Sequence, residues 1–134
     1  MPFQLIRSEG ALTGLQSVVE ALRLHIQNNR DILIDEFKSF NGVRLIEPHG
    51  TFYALPDIRA FSGNSVEVSN LLLHKAKVVT VPGKEFGMEG HIRLSYSGTV
   101  KDLIEGITRI KWALDPEAPN EIYIGDKRAV RDWL

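Results

Sequence analysis

Arg93 sits in His91-Ile92-Arg93-Leu94-Ser95-Tyr96, a stretch that alternates apolar and polar residues and follows GKEFGMEG, residues 83–90, a segment with three glycines. Alternation of this kind predicts a strand with Ile92, Leu94 and Tyr96 on one face and His91, Arg93 and Ser95 on the other. A guanidinium on the polar face of a rigid strand suits two-point recognition of a carboxylate, because its planar fork matches that group. The glycines just before it would let a ligand come close to the backbone. The commoner arrangement for such a residue is a solvated sheet face with the arginine paired to an acid, and sequence geometry alone leaves both open. Arg44, Arg59 and Arg109 have the same ordinary reading and no neighbouring pattern to raise them.

Other chemistries find less support. Lysines at 38, 75, 77, 84, 101, 111 and 127 could form a Schiff base in principle, but that role needs desolvation or a cationic neighbour, and each falls at a helix end, in a loop or at an exposed position by pattern. His25, His49, His74 and His91 are scattered, without a paired spacing, so no metal site is expected. His25 and His74 read as surface or boundary residues of helices, and His49 and His91 as turn residues at strand ends. No phosphate-binding glycine motif and no GxSxG elbow occurs. With no cysteine, a disulfide framework, a thiolate metal site and a cysteine nucleophile are excluded.

The elements that must position Arg93 are readable from periodicity. Leu15, Val18, Val19, Leu22, Ile26, Leu33, Phe37 and Phe40 follow helical spacing, interrupted midway by Asn29 and Arg30. A helix over 15–40 would be about 39 Å long at about 1.5 Å per residue, so it either bends near Asn28-Asn29 or projects beyond the core. Asn41-Gly42 ends it. Val43–Glu47 and Thr51–Leu55, joined through Pro48-His49-Gly50, predict an antiparallel hairpin. Asn64 with Glu67 is a capping pair opening a helix to about Ala76. Lys77–Val81 predicts a strand, ended by Pro82-Gly83. Thr99 with Asp102 caps another helix, striped by Leu103, Ile107, Ile110 and Leu114 and ended by Asp115-Pro116. Glu121–Ile124 predicts a short strand and Lys127–Leu134 one or two helical turns, with the apolar Trp133-Leu134 end docked somewhere on the protein. The order is that of an α+β two-layer sandwich: a small, mainly antiparallel sheet with helices on one face and a long N-terminal helix.

The 134 residues are 43% hydrophobic and 25% charged, fitting one folded domain. A net charge of −1 argues against duplex nucleic acid or an anionic membrane as partner. No apolar run approaches the length of a membrane span, and MPFQLIRSEG lacks the pattern of a signal peptide, so a cytoplasmic location is expected.

Two stretches, EPHGTFYALPDI (47–58) and VVTVPGKEFGMEGHIRLSYSGTVKDLIEGITRI (78–110), resemble the C-terminal small domain of class I/II aminotransferases, the fold type I pyridoxal-phosphate enzymes, most nearly the aspartate aminotransferase type. The resemblance rests on Pro48, Gly50, Phe52 and Tyr53; on Val81, Pro82, Gly83, Phe86 and Gly87; and on Arg93, Leu94, Ser95 and Tyr96. It implies that residues 1–14 are the end of a large domain and its linker, that 15–114 form the small domain, and that 115–134 are a C-terminal tail outside the family pattern. It implies that Arg93 grips the α-carboxylate of an amino-acid or 2-oxo acid substrate, with Gly83, Phe86 and Gly87 in a supporting loop. In the family, the Schiff-base lysine and most ligands of pyridoxal phosphate come from the large domain, ahead of the long helix. No catalytic, cofactor-binding or metal residue is therefore expected in this chain. Alone it should not hold the cofactor or transaminate, and surface left by the missing large domain could self-associate. The alternative is a stand-alone, non-enzymatic α+β module, either regulatory or carboxylate-binding through the Arg93 face, or a protein-interaction domain that associates through apolar surface.

Overall fold

The computed structural model describes residues 14–134. The expected large-domain remnant at 1–14 therefore falls almost wholly outside the described residues. Helix α1, Gln16–Lys38, runs unbroken through Asn28-Asn29. The helix meets the core from Ile26 onward, with Leu33 and Phe37 buried and Phe40 following just beyond the helix, while Leu15, Val18, Val19 and Leu22 are each more than half exposed. Projection, rather than a bend, thus reconciles the length of α1 with the size of the fold. The helix ends earlier than the expected Asn41-Gly42 stop, at Lys38 with Ser39 as its cap, and Gly42, at φ 84°, belongs to the turn that follows.

Asn29 breaks the apolar stripe in sequence, yet it is fully buried. Its Nδ2 donates to the carbonyl oxygens of Tyr96 (2.8 Å) and Gly98 (2.8 Å), fastening α1 to the chain just past the Arg93 strand. Its Nδ2 is thereby satisfied, while its Oδ1 is buried without a partner among the described residues.

Strands β1 (Arg44–Leu45), β2 (Tyr53–Ala54) and β3 (Pro56–Asp57) do not form the expected 43–47/51–55 hairpin. β1 pairs antiparallel with β3, and β2 pairs with a strand 40 residues further on. The connection cannot close a ladder: Pro48 has no N–H to give, and Thr51 is held at φ 60°. Helix α2, Ser65–Leu71, starts at Asn64, whose side chain accepts from the Glu67 amide at 3.1 Å, and continues into one π-helical turn, Leu72–Ala76. That turn ends at Lys77 in the left-handed region, and the Val78 amide donates back to Leu72 O. Backbone expected in a strand over 77–81 is consumed in closing the helix, so β4 is only Val81–Pro82.

β5, Ile92–Ser95, is the middle strand of the sheet β2-β5-β4, antiparallel to both neighbours. Ala54, Pro56, Ile92 and Leu94 are buried on its inner face, against the helices. Helix α3, Val100–Leu114, is capped by Thr99 Oγ1 accepting from the Asp102 amide at 3.1 Å, and buries Leu103, Ile107, Ile110 and Leu114 as its stripe requires. The architecture is the expected α+β arrangement, with a long first helix and small antiparallel sheets.

The end of the chain differs from expectation. Lys127–Val130 is not helical; it is strand β7, paired with β6 (Glu121–Ile124) across a two-residue turn, Gly125-Asp126, with Gly125 at φ 63°. A glycine of positive φ at the first turn position is the chemistry of a tight hairpin. Ile122, Ile124 and Ala129 pack toward the core. Arg131 is buried and donates to the carbonyls of Trp112 (2.8 Å), Asp115 (2.6 Å) and Ala118 (2.9 Å) and to Asn120 Oδ1 (3.1 Å), filling acceptors at the C-terminal end of α3. Trp133 docks as expected, its Nε1 donating to Ala113 O at 2.8 Å and its ring set edge-on to Trp112; Leu134 stays exposed.

Candidate carboxylate site

The outer face of the sheet gathers the chemistry. Antiparallel pairing sets Tyr53 opposite Ser95 and Val81 opposite Arg93, and an isolated bridge sets Asp57 opposite His91. Side chains alternate between faces, so Tyr53, Asp57, Val81, His91, Arg93 and Ser95 share the face away from the core. Arg93 is half-buried in the middle of it.

Among the described residues, the Arg93 guanidinium makes no ion pair and no hydrogen bond. The other sequence candidates behave ordinarily: Arg59 pairs with Asp57 at 2.7 Å, Arg109 pairs with Glu105, and Arg44 lies exposed. Arg93 instead lies against aromatic rings, with Cζ 4.3 Å from the centroid of Tyr53 and 5.5 Å from that of Phe86. Cation–π contact of this kind engages the face of each ring and uses none of the guanidinium's N–H donors. A half-buried cation with free donors on a rigid strand can bind a planar anion edge-on.

Loop 83–90 is built tightly. It starts as a 3₁₀ turn, Gly83–Phe86, closed by Gly87 at φ 77°. Gly83 N donates to His91 O (2.8 Å) and Met88 N to Gly83 O (2.8 Å); a Cβ at position 83 would collide with the carbonyls of Met88 and His91. Gly83 is thus required by the loop's own closure. Nothing lies within 4 Å of a Cβ at position 87, where the positive φ is the constraint. Glu89 ties the loop to α2, its Oε1 accepting from the Ser65 amide at 2.7 Å and from Gly90 N at 3.2 Å; hydrogen bonding from Ser65 foremost holds its carboxyl below the usual glutamate range. Ser65 Oγ accepts from Lys84 N at 3.1 Å. Beside Arg93, the Arg59 side chain on Asp57 brings that carboxyl down to about 2, and Nδ1 of His91 is buried without a partner.

The lysines do not fit pyridoxal phosphate. Lys111 Nζ donates to Ser39 Oγ (2.9 Å) and pairs with Glu36 (3.3 Å), Lys77 Nζ donates to His74 O, Lys75 lies over Trp133, and Lys38, Lys84, Lys101 and Lys127 are exposed. None is desolvated and aimed at the Arg93 face, as a Schiff-base amine would need to be.

The sequence reading picked out Arg93, Gly83, Phe86 and Gly87, and the structure brings Phe86 onto Arg93 with both glycines shaping the turn that carries it. It gave Tyr53 no role; alternation on either side of buried Ala54 was the available signal. Nothing in sequence pointed to the Glu89–Ser65 tether, which joins residues 24 apart.

The family model for aminotransferase class I and II matches residues 6–110. A probable aspartate/prephenate aminotransferase of Aquifex aeolicus is 40% identical over 114 residues, covering 79% of this chain and 29% of that protein. Among solved structures, the aspartate aminotransferase of Rhizobium meliloti superposes with a TM-score of 0.70 at 26% identity, over 78% of this chain and 28% of that one. The Thermus thermophilus aspartate aminotransferase with maleate gives 0.67 at 31% identity, over 72% and 25%. The chain therefore spans between a quarter and three-tenths of the length of these proteins.

Proposed function

The chain belongs to aminotransferase class I and II, and from that premise we propose that it is the small-domain part of an amino-acid aminotransferase in which Arg93 holds the substrate α-carboxylate. The intact enzyme would move an amino group between an amino acid and a 2-oxo acid. Pyridoxal phosphate supplies that chemistry in such enzymes, and here it would be held by residues outside this chain. This chain's own task is then binding and orientation. The observation that carries the reading is the Arg93 guanidinium lying over the Tyr53 ring, with no ion pair or hydrogen bond among the described residues. A two-point grip on the carboxylate fixes the position of the α-carbon, and orientation of this kind supplies a large part of a catalysed rate. The maleate of the Thermus relative fits the same preference for carboxylates. Exposed Leu15, Val18, Val19 and Leu22 support a further partner surface on α1, covered by the remainder of the enzyme or by a second copy.

The test is titration of 2-oxoglutarate into isotope-labelled protein, followed by NMR. We expect saturable shifts at the Arg93 side chain and along β5, removed by Arg93→Lys because an ammonium lacks the fork. Shifts that persist in that variant, or no response at millimolar ligand, would overturn the assignment.

A further inference from the structure

We propose that Tyr53 and Phe86 are positioning residues that order the Arg93 guanidinium before any ligand arrives. The proposal rests on the carboxylate reading of Arg93 and adds to it the source of that side chain's order. Arginine has a long, rotamer-rich side chain, and ordering it at the moment of binding weakens affinity. Among the described residues no acid or carbonyl fixes its head group, so the two rings are what restrain it, at 4.3 Å and 5.5 Å. They come from separate parts of the chain. Tyr53 lies on neighbouring β2, where the pairing of Tyr53 with Ser95 puts its ring one diagonal step from Arg93. Phe86 ends the 3₁₀ turn that Gly83 and Gly87 make possible. Phe52, its ring centroid 4.4 Å from that of Tyr53, restrains Tyr53 in turn. A carboxylate or carbonyl restraint would occupy the donors the substrate needs; ring faces hold the cation and leave them unspent.

The experiment uses the Arg93 Nε–Hε resonance of the full chain, with and without 2-oxoglutarate. In the unliganded protein we expect a ring-current-displaced signal with restricted motion. Tyr53→Leu should move it toward the free-arginine position, increase its mobility and weaken 2-oxoglutarate binding about 3- to 10-fold, the range for ordering one such side chain. Tyr53→Phe should keep the displacement, the order and the affinity, since the ring and not the hydroxyl makes the contact. Phe86→Leu should give a smaller change in the same direction. Backbone amides of the β6–β7 hairpin report whether each variant is folded; if Tyr53→Leu is not, Phe86→Leu decides. An Arg93 signal as ordered in the folded leucine variants as in the original protein overturns the proposal. Loss of order in those variants, with 2-oxoglutarate binding indifferent to Arg93→Lys, keeps the positioning role and removes the carboxylate reading.

Discussion

Replacing Asn29 tests the link between the long helix and the strand that bears Arg93. Two hydrogen bonds of 2.8 Å run from its amide to Tyr96 O and Gly98 O. Gly98 O keeps a second partner in His25 Nε2, at 3.0 Å, so Asn29→Ala leaves Tyr96 O as the orphan. Two hydrogen bonds at about 1 kcal/mol each and one unpaired buried carbonyl at about 1 kcal/mol, offset by about 1 kcal/mol for removing the unpartnered Oδ1, predict a loss of about 2 kcal/mol. Asn29→Asp is the sharper variant. Its new carboxylate would face two carbonyl oxygens with no donor to offer, in a site with no solvent access. Burial and those oxygens raise its folded pKa above the ordinary aspartate value, against the opposing pull of the His25 ring, whose Nε2 lies 3.5 Å from the Asn29 amide nitrogen. The destabilisation is then full at neutral pH and recovers as pH falls through the raised value, where the protonated acid can donate one hydrogen bond. Urea unfolding of the original protein and both variants, at pH 7 and pH 5, checks this. We expect the aspartate variant to be at least as unstable as the alanine variant at pH 7 and to regain stability relative to the original protein at pH 5. A change below about 0.5 kcal/mol for Asn29→Ala, or an aspartate deficit equal at both pH values, would refute the reasoning.

Two further outcomes follow from the same structure. Arg131→Ala strips donors from three carbonyls and Asn120 at the end of α3, and should cost about 3 kcal/mol, lowering the thermal midpoint by about 10 °C in a scan. Asp57 is held at about 2 by Arg59, so their pair contributes stability that is complete above the ordinary value of 3.8 and is lost as pH falls through about 2. Because the Arg59 side chain is 67% exposed, solvent screening keeps that contribution small, and an NMR titration of Arg59→Ala should find the Asp57 carboxyl moved up from about 2 toward its ordinary value.

Local signals were the legible ones. The stripes of α1 and α3, the caps at Asn64 and Thr99 and the alternation around Arg93 each depend on residues within a turn or two, and each appears in the structure. Errors arose where distant residues decide. Arg44-Leu45 finds its partner at 56–57, beyond an irregular excursion, so proximity in sequence suggested the wrong hairpin. In KRAVRDWL the apolar spacing imitates a helix, while the Gly125-Asp126 turn and the acceptors awaiting Arg131 favour a strand. Of the site, the central cation and its loop could be read from sequence. Contact between Arg93 and Tyr53 could not, since it depends on strands brought side by side by the whole fold.

The position of β5 between β2 and β4 carries a consequence for any ligand of Arg93. One flanking strand comes from a segment about 40 residues earlier and the other from just ahead of the glycine loop, so no contiguous peptide contains the receptor surface. It exists only while the entire domain is assembled. Any acid bound there is thermodynamically linked to global unfolding and must raise the melting temperature in proportion to the logarithm of its concentration once saturating. Melting curves recorded against a panel of organic acids would therefore rank ligands by affinity without measuring catalysis.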